Sequence, residues 1–422
     1  MVPSPERRVM TIRMSETNPR ECELAIVGGG FVGTFLAIYF LYHERLSHKD
    51  IVILDRHPAP LSEFRSRVAT CGMEVMLSTN THHLHPEPYD LNRYAESIGV
   101  DGSAFRAFKF RNVEYLRPSV ELFFAHAEKV INDFGILRSW MQGTLVKMDC
   151  PNPNDGRFTL LTTEGSIVAR RVIIAAGIGE NLGWPDWARS LQERGASIHH
   201  TLDSTFKFKN LNSRSRIAVV GAGLTGSQLA LRAMIDGFRN VALIGPDCGV
   251  HEFGVDPDFI EKKAREELLS YTAPEDRLRF LNGGIRPGGV TQDVFDNLQA
   301  VAAKIDGYRR IKTRITAGEW DASAIRLQSR EVQLDFDAVI LATGWNERPL
   351  RHPLLASISA WFDLPSVCNG DYPLLDENLC WTRCGFPKTL HVAGLPAQLI
   401  IGPAARNFIG ARFVGKRILV AF

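Results

Sequence analysis

Two repeated patterns predict an α/β fold with two Rossmann-like dinucleotide-binding domains in this 422-residue chain. The stretches LAIVGGGFVGTFLA at Leu24–Ala37 and IAVVGAGLTGSQLA at Ile217–Ala230 each give an apolar run, a G-x-G-x-x-G turn and a helix dense in apolar residues. The stretches VIIAAG, ending at Gly177, and VILATG, ending at Gly344, each follow one of these turns. Both are apolar strands closed by a small-residue turn, and both sit behind an apparent β-hairpin.

In the first unit, Glu23–Val27 forms the strand, Gly28, Gly30 and Gly33 the turn, and Thr34–Leu46 the helix. A second strand, IVILD, ends at Asp55, which lies 22 residues beyond Gly33 and close to the roughly 20 typical of such units. Gly28 permits the tight turn, Gly30 lets the backbone approach a pyrophosphate, and Gly33 allows helix and strand to pack closely. The unpaired N–H groups and positive dipole at the helix start favour phosphates. Asp55 is placed to accept hydrogen bonds from a ribose diol.

The hairpin FTLLTTEGSIVARRVII leads to Ala175–Gly177. Before it, RPSVELFFAHAEKVINDFG reads as an amphipathic packing helix with Pro118 near its first turn and Gly135 as its stop. The second unit repeats the first: a strand at Arg216–Val220, a turn at Gly221, Gly223 and Gly226, and a helix at Ser227–Gly237. Its second strand, NVALIG, ends at Gly245, the counterpart of Asp55, which has no carboxylate. Between residues 246 and 307, DPDFIEKKAREELL and TQDVFDNLQAVAAKI predict a helical insertion. The hairpin AIRLQSREVQLDFDAVIL leads to Ala342–Gly344, and the last 33 residues give a strand, a turn at Gly402 and Pro403, and a closing helix.

The bulk numbers fit this plan. The chain is too long for one core, and with 45% apolar and 23% charged residues it has ordinary soluble composition. A net charge of +2 gives no electrostatic case for nucleic acid or a membrane surface. Seven irregularly spaced cysteines read as reduced thiols. Residues 1–21 are polar without an apolar core and read as a loose tail. No uncharged run is long enough to span a bilayer, and the expected location is the cytoplasm.

With these features placed, the chain from about Cys22 to Phe422 resembles the flavoproteins that carry two dinucleotide-binding domains. LATGW at Leu341–Trp345, with Pro349 four residues on, is similar to the LATG motif of the single-component flavin monooxygenases. HEFGVDPDFIEKK, from His251, and Leu395 in AGLPAQ are similar to the N-hydroxylase branch of that group. The resemblance implies an FAD domain from residues 22–205 and 346–422, with an NAD(P)H domain inserted at 206–345. It places Gly28, Gly30, Gly33 and Asp55 against the ADP half of FAD, and Gly402, Pro403 and Asn407 near the flavin ring. Gly221, Gly223 and Gly226 would hold the nicotinamide pyrophosphate, with Gly177 and Gly344 closing the two halves. The lack of an acid at Gly245 favours NADPH, with NADH left open by Asp247. Arg214, Arg216 and Arg239 are the candidates to reach a 2′-phosphate.

The implied activity is reduction of FAD by NADPH, then reaction with O2 to a C4a-hydroperoxide that oxygenates a small molecule at an amine nitrogen. An electron-transferring dehydrogenase or oxidase, and a catalytically silent FAD protein, stand as alternatives. No fixed catalytic residue is named by the sequence. A disulfide reductase would need a redox cysteine pair; there is no C-x-x-C, Cys71 stands alone, and Cys380 and Cys384 are spaced to share a helix face. His82, His83 and His85, in NTHHLHPEP, either bond locally or, for His83 and His85, line the substrate side of the flavin. Arg65 and Arg67 are candidates for the FAD pyrophosphate. No metal site is expected, and oligomeric state is not readable.

Overall fold

A computed structural model describes residues 19–422 apart from 178, 180, 254, 256, 258–261 and 285–288. The first eighteen residues of the expected tail, and parts of the expected insertion, lie outside the described residues.

The chain opens with β1 (Arg20–Val27), α1 (Phe31–Tyr42), β2 (Ile51–Asp55), α2 (Ser62–Cys71) and α3 (Asp90–Ser97). It continues through β3 (Phe105–Phe110), β4 (Val113–Pro118), α4 (Val120–Asp133), β5 (Trp140–Gln142), β6 (Leu145–Asp149), β7 (Phe158–Thr162) and β8 (Gly165–Ile174). The tail therefore gives way to strand at Arg20, two residues before the expected boundary. Pro118 closes β4 rather than entering the helix. Ser119 is the N-cap instead, its hydroxyl accepting from the Leu122 N–H at 3.1 Å. The β3–β4 hairpin has no clean signature in the sequence, because Ala107–Phe108 and Tyr115–Leu116 set two apolar residues side by side and break the alternation of each strand.

The next elements are α5 (Asp186–Glu193), β9 (Ile198–His200), β10 (Arg216–Val220), α6 (Leu224–Ile235), β11 (Asn240–Ile244), α7 (Lys262–Ser270), α8 (Pro274–Gly284) and α9 (Gln292–Ala302). Strands β12 (Tyr308–Ile311), β13 (Ala317–Trp320), β14 (Ile325–Gln328), β15 (Gln333–Phe336) and β16 (Ala338–Leu341) follow. The chain ends with α10 (Pro353–Phe362), β17 (Ser366–Val367), β18 (Tyr372–Pro373), β19 (Leu390–Val392), α11 (Gln398–Ile401) and α12 (Phe408–Val420).

Two sheets carry the architecture. The first has the order β5-β2-β1-β8-β7-β6, with β19 pairing alongside the second half of β8. Strands β5, β2, β1, β8 and β19 run parallel, whereas β6, β7 and the first half of β8 form an antiparallel extension. The second sheet, β12-β11-β10-β16-β9, is parallel throughout. Strand β9 belongs to this second sheet although it precedes residue 206. The core strands are apolar on both faces, as parallel strands sandwiched between layers must be.

The sheets share one local device. In β1, Ala175 N donates to Val27 O at 2.8 Å; in β10, Ala342 N donates to Val220 O at 2.7 Å. A Cβ on Gly28 would run into the carbonyl of Ala175, and one on Gly221 into that of Ala342. A Cβ on Gly33 or Gly226 would collide with the carbonyl of Gly28 or Gly221. The glycine turn, the helix behind it and the small-residue strand end thus meet in a three-way contact without side chains. Gly226→Ala is expected to force the helix off the turn and lower stability by roughly 1–3 kcal/mol or more. Equal denaturation midpoints for variant and parent protein would contradict this packing.

Candidate functional site

Both turns present helix N-termini without side-chain caps. Gly30 and Gly223 are the cap residues of α1 and α6, and neither helix has an acidic residue in its first turn. Nothing lies within 4 Å of where a Cβ on Gly30 would stand, so that face of the turn is open. Open backbone, unpaired N–H groups and the dipole's positive end suit an anionic group such as a pyrophosphate.

Of the predicted residues, Asp55 and Asn407 lie by the first turn. Asp55 ends β2, where Oδ2 accepts from Gly29 N at 2.6 Å and Oδ1 from His57 N at 2.8 Å. The Trp140 ring of β5 covers Gly29, and its Nε1 donates to His57 O at 3.2 Å. Gly402 has φ +87°, which favours glycine, and a Cβ there would face Leu268 and Arg265 of α7; Pro403 behind it is buried. Asn407 is the cap residue of α12. Phe31, directly after Gly30, stacks on Phe408, directly after Asn407, with ring centroids 3.6 Å apart and planes 13° apart. That stack brings the open ends of α1 and α12 to one place.

The second turn is built in the same register. Gly28 N donates to Leu54 O and Gly221 N to Ile244 O, both at 2.8 Å, so Gly245 is the counterpart of Asp55 and Ala222 of Gly29. The small and larger residues are exchanged between these pairs. A Cβ on Gly29 would lie 3.2 Å from the Cβ of Asp55, and a Cβ on Gly245 would lie 3.0 Å from the Cβ of Ala222. A Cβ on Gly29 would first meet the Trp140 ring, and one on Gly245 the backbone N of Ala222. The first unit ends its strand in a carboxylate; the second ends β11 in Gly245, without a charge.

Arg214, Arg216 and Arg239 lie at the wrong edge to serve this end. They precede or begin β10 and β11, whereas the glycine turn follows their C-terminal ends, and Arg216 is engaged by Asp337 at 2.6 Å. The cations at the correct edge come from β12, whose Ile311 pairs with Ile244. Arg310 donates to the carbonyls of Gly245 and Pro246, each at 2.8 Å, and Lys312 pairs with Asp247 at 2.8 Å. The stretch YRRIK held this signal, because parallel neighbours end at the same edge.

Two crossings join the sheets, and they are zipped together. Gly183 N donates to Gly344 O at 3.0 Å, Thr343 Oγ1 donates to Gly183 O at 2.6 Å, and Leu182 bridges Trp345. Asn181, buried, donates from Nδ2 to the carbonyls of Asn346 and Arg348, both at 3.0 Å. Gly177 and Gly344 share φ +72°. From Gly177 to Gly183 the chain reaches about 20 Å at most. The zipper therefore tethers the C-terminal edges of both sheets, where the two turns lie, to each other.

The remaining candidates lie elsewhere. Arg65 pairs with Glu128 at 2.7 Å and lies over Phe124, and Arg67 is bound by Glu63 at 2.5 Å. His83 bonds Pro88 O through Nε2 at 3.0 Å, and His85 rests against Tyr42 and Phe134 at the far end of α1 from Gly30. Local bonding, rather than a position beside the turns, describes both. Cys380 and Cys384 share no helix; Cys380 sits in a bridge to His391, buried, its thiol pushed up to about 12 by burial. Burial likewise raises the Cys71 thiol to about 11. Among the described residues there is no group of three or more His, Cys, Asp or Glu able to hold a metal, and no helix long and apolar enough to cross a membrane.

No protein-family model matches the chain, and no curated protein matches it by sequence. Solved structures do match it in fold. The FAD-bound cadaverine monooxygenase DfoA of the desferrioxamine pathway of Erwinia amylovora is 13% identical, with a TM-score of 0.71 over 94% of this chain and 93% of that one. The lysine monooxygenase NbtG of Nocardia farcinica is 12% identical, with a TM-score of 0.59 over 94% and 99%. The bacillithiol disulfide reductase Bdr (YpdA) of Bacillus cereus is 13% identical, with a TM-score of 0.58 over 95% and 98%. The fold is that of the flavoproteins with two dinucleotide-binding domains.

Burial also sets an acid limit. It depresses His82, His200 and His391 to about 4 and His83 to about 3. The unfolded chain protonates these near pH 6.5, so between about 6.5 and 4 it binds more protons than the folded one. Stability is full above that window and falls as pH drops, by up to roughly 1.4 kcal/mol per pH unit for each histidine. Urea midpoints that stay level from pH 7 to pH 5 would refute this.

Proposed function

We propose that the protein is an FAD-dependent monooxygenase that draws hydride from NADPH and uses O2 to oxygenate a small amine. The observation that carries this reading is the pair of matched open turns held together by the linker zipper. Two dinucleotides bound end to end across tethered sheet edges are what hydride transfer needs. The fold likeness to cadaverine and lysine monooxygenases supports the amine.

Bound FAD would supply hydride acceptance and oxygen activation. The protein's part is to bind, orient and shield. Gly28, Gly30 and Gly33 would cradle the FAD pyrophosphate at α1, Asp55 would accept from the ribose, and Gly402, Pro403 and Asn407 would border the ring. Gly221, Gly223 and Gly226 would hold the nicotinamide nucleotide at α6. At the end of β11, Gly245 offers no carboxylate to repel a 2′-phosphate, Lys312 neutralises Asp247, and Arg310 adds a cation. This combination favours NADPH. A thiol-based disulfide reduction fits poorly, since burial holds the Cys71 and Cys380 thiols protonated.

The test is oxidation of NADPH and NADH across a panel of amines and sulfides, with product mass read for the gain of one oxygen. NADPH consumption that yields only peroxide with every compound would overturn the monooxygenase reading and favour an oxidase. For the cofactor assignment, Lys312→Glu should raise the KM for NADPH about tenfold or more, the worth of one lost charge-assisted contact plus repulsion, and leave NADH nearly unchanged. Equal effects on both would remove the argument for a 2′-phosphate at this edge.

A further inference from the structure

A cavity of about 260 Å³ lies between the two units. Its walls are the segment after α2, the β3–β4 hairpin, one face of α6 from Leu224 to Ile235, and one face of α9. The volume is roughly nine waters' share of liquid, below the range of about 300–1,000 Å³ common for drug-sized ligands. Val75, Leu77, Leu231, Val294 and Val301 make most of the wall apolar.

One end is charged and buried. Arg117, 3% exposed, reaches from β4 to Glu252, which is 16% exposed, and lies 3.7 Å from Asp293, 12% exposed, on α9. The Arg117 guanidinium is stacked on Phe108 at 4.6 Å. Glu252 is further satisfied by the Gln292 N–H at 3.1 Å. Two carboxylates share this one buried guanidinium, so the triad carries one excess negative charge. Asp293 Oδ1, the atom 3.7 Å from the guanidinium, is buried and has no hydrogen-bond partner among the described residues. Arg117 Nε is also without one, but its charge is already committed to the two carboxylates. The other ionic groups on the wall are Glu74, Arg106 and Arg232, and Arg232 is paired with Asp236 at 2.8 Å.

The guanidinium and the positive end of α9, in whose first turn Asp293 lies, offset only part of this charge, and a further cation reaching the carboxylates would be stabilised. We propose that this cavity binds a small organic ammonium ion, its nitrogen bonded to Asp293 and its short apolar body along α6 and α9. The proposal rests on the amine reading above for its biological meaning, but the binding it describes needs neither flavin nor turnover.

The experiment is calorimetric titration of the purified full-length protein, as isolated, with n-pentylammonium, pentan-1-ol and pentanoate, three probes that share one chain and differ in charge. The ammonium ion should bind, and the alcohol and the carboxylate at least tenfold more weakly, because one charge-assisted bond separates them. Asp293→Asn should weaken the ammonium ion by tenfold or more while leaving the Arg117–Glu252 pair intact. Ala300→Phe, which fills the cavity from α9 without touching the charges, should abolish binding and keeps the test open if the first variant fails to fold. Equal binding of all three probes, tighter binding of pentanoate, or ammonium binding unchanged in both variants would overturn the proposal. Ammonium binding that obeys these rules in a protein that oxygenates no amine would uphold the cavity and defeat the monooxygenase reading instead.

Discussion

Everything in this molecule depends on two places where backbone packs directly on backbone. At Gly28 and Gly33, and again at Gly221 and Gly226, a strand, a turn and a helix approach so closely that no side chain fits between them. The contact fixes where α1 and α6 start, and with them the direction in which unpaired N–H groups point. It also fixes the small residues that close each half, since Ala175 and Ala342 place their carbonyls against the first glycine of each turn. Helix starts suited to an anion are thus a by-product of packing that the core requires.

The two units are then held by contacts of different kinds. Hydrogen bonds zip the crossings through Asn181, Gly183, Thr343 and Gly344. Aromatic packing joins the β3–β4 hairpin to the second unit, with Phe253 between Phe108, Phe110 and Tyr115 at 5.2–5.3 Å. Apolar packing carries the helical insertion onto the closing segment, where Leu268 and Leu281 cluster with Leu399 and Tyr372. The hairpin and the insertion add further contacts, and the hairpin lines the charged cavity. A buried ion pair such as Arg117–Glu252 is weak evidence for stability; its place at a seam between units fits a role in setting their relative position and the charge of the cavity.

The first unit carries Gly29 and Asp55 where the second carries Ala222 and Gly245, so only the first ends its strand in a carboxylate. The Trp140 ring fills the space that a side chain at Gly29 would take, and the backbone of Ala222 stands where a side chain at Gly245 would begin. The difference was readable in the sequence at Gly245, but its partner at Ala222 was not, because the two lie 23 positions apart and meet only when β11 pairs with β10.

The sequence by itself determined the local units. Glycine spacing, apolar runs and turn residues act over a few positions, and they were enough for both strand–turn–helix motifs, both hairpins before Gly177 and Gly344, the insertion helices and the closing helix. Tertiary structure alone decided which distant groups share an edge. Arg216 is close to Gly221 in sequence yet stands at the opposite end of β10, while Arg310, some ninety positions away, lies at the correct end because parallel strands align their termini. His83 and His85 looked like a site through clustering, but side-chain bonding to their own loop absorbs them. The Arg117, Glu252 and Asp293 group had no local signature, since its members come from a hairpin, a loop and a helix that only the packing of two units brings together.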